Sequence, residues 1–127
     1  MFSHVVVGAN DLEKAKRFYD AVLGALGYGE GLLRAKGDYV YPSDNGSFIV
    51  TRPIDGRSAT HANGGTIDFA CQSSDQVDHW HAVGVANGGK SIEDPPGMRD
   101  TQAGQMYLAY LRDPDGNKLC ALHRLPA

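Results

Sequence analysis

His4-Val5-Val6-Val7-Gly8-Ala9-Asn10-Asp11-Leu12-Glu13-Lys14-Ala15-Lys16-Arg17-Phe18-Tyr19 changes its hydrophobic period once, and that change decides the fold class. Up to Ala9 the chain is a short valine-rich run, and branched side chains fit a pleated, half-buried surface. From Asn10 the apolar residues recur at helical spacing: Leu12, Ala15, Tyr19, Val22, Leu23 and Leu26. Asn10 followed by Glu13 has capping-box spacing, and Gly27 suits the far end, so a helix is predicted over 10–26 with one buried stripe.

Three short strands are predicted next, over 28–36, 38–42 and 47–52, the last reached through Ser43-Asp44-Asn45-Gly46. Asn-Gly is a strong hairpin signal because both residues tolerate positive φ. Residues 53–64 carry Pro, Gly, Ser, Thr and Asn with little apolar content and read as a connection. The same series then returns. A strand over 66–71 precedes a helix opened by Ser73 and Gln76, with Val77, Trp80 and Val83 on one stripe ending near Gly88-Gly89. A short strand over 90–93, a Pro/Gly loop over 94–104, and strands over 105–112 and 117–123 follow, the last two joined by Asp113-Pro114-Asp115-Gly116. Laying His4 on Thr66 brings Phe18 onto Trp80. The plan is strand, helix, three strands, twice over: an α+β chain of two tandem βαβββ modules, about 1–53 and 65–127.

At 127 residues the chain is the size of one domain with a core of its own. Its 12 Lys+Arg against 15 Asp+Glu, with no basic cluster, give no electrostatic footprint for nucleic acid or an anionic membrane, and neither is an expected partner. No apolar run approaches the roughly 20 residues of a spanning helix, and Met1-Phe2-Ser3-His4 does not read as a basic leader. Cys71 and Cys120 have no pairing framework and read as reduced, small hydrophobes, so the expected compartment is the cytoplasm.

The sequence resembles the vicinal oxygen chelate superfamily, which includes glyoxalases, bleomycin-resistance proteins and extradiol dioxygenases. The resemblance rests on His4 in the opening strand, on Asn10 to Tyr19 with Leu23-Gly24, and on Asp113-Pro114-Asp115-Gly116-Asn117 near the end. It implies that each module curls its sheet and that paired modules form an open half-barrel trough for a ligand. In catalytic members one His, Glu or Gln from each of four strands holds a divalent metal, which acts as a Lewis acid.

Carried over residue by residue, the resemblance matches His4 to the first ligand. The second should fall near Ile49, where no residue from Gly46 to Thr51 is a good metal ligand. The third falls on Thr66, and the fourth on Cys120 in place of a carboxylate. His4 is therefore the one metal ligand expected, and a divalent metal is disfavoured. A smaller set of His4, Asp68 and Cys120 would suit a softer ion such as zinc if the three converge. Strand alternation adds Asp68 to the face of Thr66, as an acid or base beside His4 or a structural partner of it. It also puts Val6 on the face of His4, and Met106, Leu108 and Tyr110 on one stripe, an apolar wall with a phenol handle or an ordinary core stripe. Tyr39 and Tyr41 are candidates for the trough of the first module, and Arg99, in the Pro/Gly loop, for an anionic ligand.

Two functions fit. One is a glyoxalase-like enzyme acting on a small carbonyl or aromatic metabolite, with His4 and Asp68 catalytic and Val6, Ile49, Thr66, Met106, Leu108, Tyr110 and Cys120 lining the substrate. The other is a metal-independent binding protein that sequesters an apolar or aromatic ligand. A homodimer is expected from the resemblance.

Overall fold

The computed structural model describes residues 1–126. The first module runs β1 (His4–Gly8), α1 (Leu12–Ala25), β2 (Leu32–Leu33), β3 (Tyr39–Ser43) and β4 (Gly46–Thr51). The second runs β5 (Ile67–Ala70), α2 (Ser74–Ala86), β6 (Lys90–Thr101), β7 (Gly104–Arg112) and β8 (Lys118–Arg124). Each forms a four-stranded sheet, in the orders β1-β4-β3-β2 and β5-β8-β7-β6. In both, the first strand lies parallel to the last and the other pairs are antiparallel. The sheets stay open, and the twofold plan expected from the sequence is the architecture.

One core joins the modules on the helix side. The α1 stripe of Leu12, Ala15, Phe18, Tyr19, Val22 and Leu23 and the α2 residues Val77 and Trp80 pack with Val7, Phe48, Val50, Ala109, Leu111, Leu119 and Ala121. Burying such side chains contributes roughly 1.5–3 kcal/mol each, which is what sets the register of every strand. Glycine lets the helices close on this core: a Cβ at Gly84 would lie 2.3 Å from Leu111 Cδ1.

Several local expectations are corrected. Asp11, not Asn10, caps α1, its carboxylate accepting from the Lys14 amide at 3.1 Å. Asn10 is a cross-brace instead: its amide donates to Asp115 and its side-chain oxygen accepts from the Ala59 amide. The α2 cap is as read, with Ser73 accepting from Gln76 and the Gln76 side chain reaching back to the Gln72 amide. Only Leu32–Leu33 of the strand predicted over 28–36 forms, and β5 begins at Ile67 rather than Thr66.

The segment 94–104 is not a loop. It is largely the second half of β6, interrupted between Ile92 and Gly97 by a bulge containing Glu93, whose φ is 59°. Pro95 and Pro96 are tolerated there because β6 is an edge strand and bulged residues owe no ladder bond. Arg99 lies within β6 opposite Met106, with its guanidinium donating to the Pro95 and Met98 carbonyls. Tyr39 leaves the expected place, whereas Tyr41 also lines the hollow at the junction of the modules. Both are buried beneath α1, where their hydroxyls donate to Glu13 and Asp20. A tyrosine whose hydroxyl meets a helix carboxylate is as well placed in a core as a phenylalanine.

Candidate functional site

Because β side chains alternate, the buried helix-side residues fix what faces the other way. Val7 is buried in β1, so His4 and Val6 point away from the helices. The parallel register sets Ser47 beside His4 and Ile49 beside Val6. In the second module Leu119 and Ala121 belong to the core, which leaves Lys118, Cys120 and Leu122 on the opposite face. Asp68 lies beside Cys120, and Cys120 beside Tyr110, as one row across β5, β8 and β7.

The predicted site residues fall into two groups that meet at Asp68. His4, Thr66 and Asp68 line an open cleft of about 490 Å³ where the start of β1 approaches the start of β5. Met106, Leu108 and Cys120, with Tyr110 and Leu122 against them, form a separate apolar cluster on the non-helix face of β7 and β8. Val6 joins neither group and lines a groove along the connection, beside Leu33 and Ile54. Ile49 is buried and borders neither hollow.

Sequence reasoning missed most of the aromatic lining of the cleft, which includes the enclosed Phe48, the half-buried Phe69 and the exposed Tyr28 and Phe2. Phe48 and Phe69 meet edge to face across the module boundary, ring centroids 5.7 Å apart. Alternation assigns both to the core, and only the gap between two sheets makes them accessible. Lys118 and Glu93 were also missed. The Lys118 ammonium sits 2.5 Å from Glu93 and 4.8 Å from the centre of the Tyr110 ring. Lys118 was legible, two residues before Cys120 on the same strand face. Glu93 was not, because the bulge that aims it breaks the alternation.

Electrostatics single out Asp68. The residue is exposed, yet partial desolvation by its surroundings raises its carboxyl above the usual range, offset in part by the Lys118 charge, and among the described residues no hydrogen bond or ion pair holds it. Burial and the neighbouring Asp68 charge push the Cys120 thiol up to about 12. Burial likewise raises the Tyr110 phenol. His4 is exposed, with Nδ1 paired to the Ser3 hydroxyl at 3.0 Å rather than to Asp68. Among the described residues no three His, Cys, Asp or Glu side chains come together to hold a metal ion, so the set of His4, Asp68 and Cys120 does not assemble. A protonated, buried thiol is in any case a poor ligand.

Residues 1–121 match the model of the Glyoxalase/Bleomycin resistance protein/Dioxygenase superfamily. The chain belongs to that superfamily. It is 60% identical to a glyoxalase/bleomycin resistance protein from Albidiferax ferrireducens T118, over 98% of this chain and 99% of that one, with a TM-score of 0.95. A superfamily enzyme from Burkholderia phytofirmans PsJN shares the fold at 20% identity, covering 97% and 98% of the two chains, with a TM-score of 0.75. A lactoylglutathione lyase from Agrobacterium tumefaciens shares it at 22% identity, covering 97% and 92%, with a TM-score of 0.66. No curated protein matches the sequence. Superfamily membership accounts for the doubled module, whereas function has to be argued from the side chains that line its hollows.

Proposed function

We propose that the chain is a metal-independent small-molecule binding protein of its superfamily, holding a compact aromatic or apolar ligand in the junction cleft. The observation that carries this reading is the cleft itself, lined by aromatic rings and by the exposed carboxylate of Asp68, which has no hydrogen-bond or ion-pair partner among the described residues. A hollow of this size and lining suits a small organic ligand, with a few polar groups setting its orientation. The metal site is degraded on this reading. The resemblance matches His4, Ile49, Thr66 and Cys120 to the four ligand positions, and one imidazole among apolar, hydroxyl and protonated thiol groups does not fit a divalent cation.

The protein acts as a cytoplasmic homodimer on the same reading. Val6, Leu33 and Ile54 are exposed apolar side chains bordering one groove, and two free buried thiols suit a reducing compartment.

One observation favours a second reading, a glyoxalase-like lyase acting on a small carbonyl compound. An unpaired carboxylate whose proton affinity is raised by burial is suited to taking a proton from carbon next to a carbonyl. Calorimetric titration of chelator-treated protein with small aromatic compounds, alongside a turnover assay with a hemithioacetal, separates the two. Saturable binding without turnover, retained in His4→Ala, supports the binder. Turnover that disappears in Asp68→Asn supports the lyase, and absence of both overturns the assignment of the cleft.

A further inference from the structure

We infer that the junction cleft selects organic cations, a protonated amine or quaternary ammonium carried on an apolar or aromatic frame. The inference deepens the binding reading above and rests on it. Its basis is the composition of the lining. Among the described residues Asp68 is the one carboxylate of the lining, and no lysine or arginine borders the cleft. The same cleft is lined by the aromatic rings of Phe2, Tyr28, Tyr41, Phe48 and Phe69. Aromatic faces carry negative charge density and attract ammonium groups, the more so when water is excluded.

Two features of the surroundings reinforce the sign. Lys118 lies outside the cleft lining, bound to Glu93 and the Tyr110 ring; its charge reaches Asp68 only through space, and among the described residues Asp68 has no hydrogen-bond or ion-pair partner. The C-terminal end of α1 also reaches the cleft through Leu23, and its last turn contains no basic residue. The negative end of the helix dipole thus lies beside the hollow without a counter-charge on the helix. Serine, threonine and asparagine side chains add uncharged hydroxyl and amide groups, and His4, with Nδ1 paired to the Ser3 hydroxyl, is the one basic side chain of the lining among the described residues. A cation placed here gains a carboxylate and π faces, whereas an anion meets repulsion from the same groups.

Three probes of similar size test the inference on the intact protein: benzyltrimethylammonium, the neutral N-benzylacetamide and the anionic phenylacetate. Affinity is read by calorimetry, and location by backbone amide shifts. The expected result is that the cation binds at least about tenfold tighter than the neutral probe, the anion binds weakest, and shifts concentrate at Ser3, Thr66 and Phe69. Asp68→Asn should remove most of the preference, and Thr66→Lys, which sets a cation at the exposed rim, should reverse it. Equal affinity for cationic and neutral probes overturns the charge selectivity and leaves the binding reading standing. Shifts confined to β7 and β8, or a preference unchanged in both variants, overturn the assignment to this cleft. Failure of all three probes to bind overturns the binding reading with it.

Discussion

Tyr19 in α1 donates its phenolic hydroxyl to Asp113, 94 residues further along the chain, at 2.5 Å. Asp113 is buried and also accepts from the amides of Asp115 and Asn117 and from the Asn117 side chain, which in turn donates to the Gly8 carbonyl. The Asp-Pro-Asp-Gly-Asn turn is therefore a clamp that ties the second module to the strand and helix opening the first. Low local dielectric makes such a network costly to break. Tyr19→Phe should cost about 1–3 kcal/mol and Asp113→Ala about 3 kcal/mol or more, since the latter leaves several buried donors unmatched. Urea unfolding of both variants checks the order. A loss in Asp113→Ala no larger than that of a surface substitution would show that the clamp is dispensable.

Asp38 predicts how the fold meets acid. The Arg34 guanidinium grips the nearly fully buried Asp38 carboxylate through two 2.6 Å hydrogen bonds, holding its pKa at about 2 against an ordinary 3.8. A depressed carboxyl contributes stability that is fully present above its unfolded value and is lost as pH falls through the folded one. Wild type should exceed Asp38→Asn in urea midpoint at pH 7, and the gap should close between about pH 4 and pH 2. A gap that does not narrow with acid would remove the ion pair as its cause.

Cys120 and Cys71 are both buried free thiols, and burial raises the pKa of each, that of Cys120 to about 12. Only the thiolate attacks disulfide reagents, so both should be silent toward an aromatic disulfide at pH 8 in the native state and react together once the chain is unfolded. Rapid native labelling of Cys120 would contradict its protonated, enclosed setting and reopen its candidacy as a ligand or nucleophile.

The sequence carried the modules and the faces of their strands, because burial on one side forces alternation: Val7 inward and His4 outward, Leu119 inward and Cys120 outward. It carried less of the site, for two physical reasons. Phe48 and Phe69 become cleft lining only through the distance between separate sheets, a relation that no local period encodes. Glu93 is aimed by a bulge with φ of 59°, where counting by twos fails. Tyr39 was misplaced because its hydroxyl is taken up by Glu13 on the covering helix, whereas Tyr41, bonded to Asp20, also lines the cleft.

Glycines offer a test of how closely the helices pack. Gly89 follows α2, and a Cβ there would lie 2.5 Å from the Phe18 ring and 2.8 Å from the Gly84 carbonyl oxygen. Phe18 is fully enclosed and the carbonyl belongs to the helix backbone, so neither can retreat without opening the interface between α1 and α2. Gly89→Ala should lose about 1–3 kcal/mol through overpacking. Gly24 has the opposite setting, inside α1 with nothing within 4 Å of an added Cβ. There the change to alanine only restricts the unfolded chain, and Gly24→Ala should gain about 0.5–1 kcal/mol. Denaturation midpoints of the pair measure both signs at once. A stabilised Gly89→Ala would mean that Phe18 and the end of α2 have room to move, and that the shared core is looser than its burial implies.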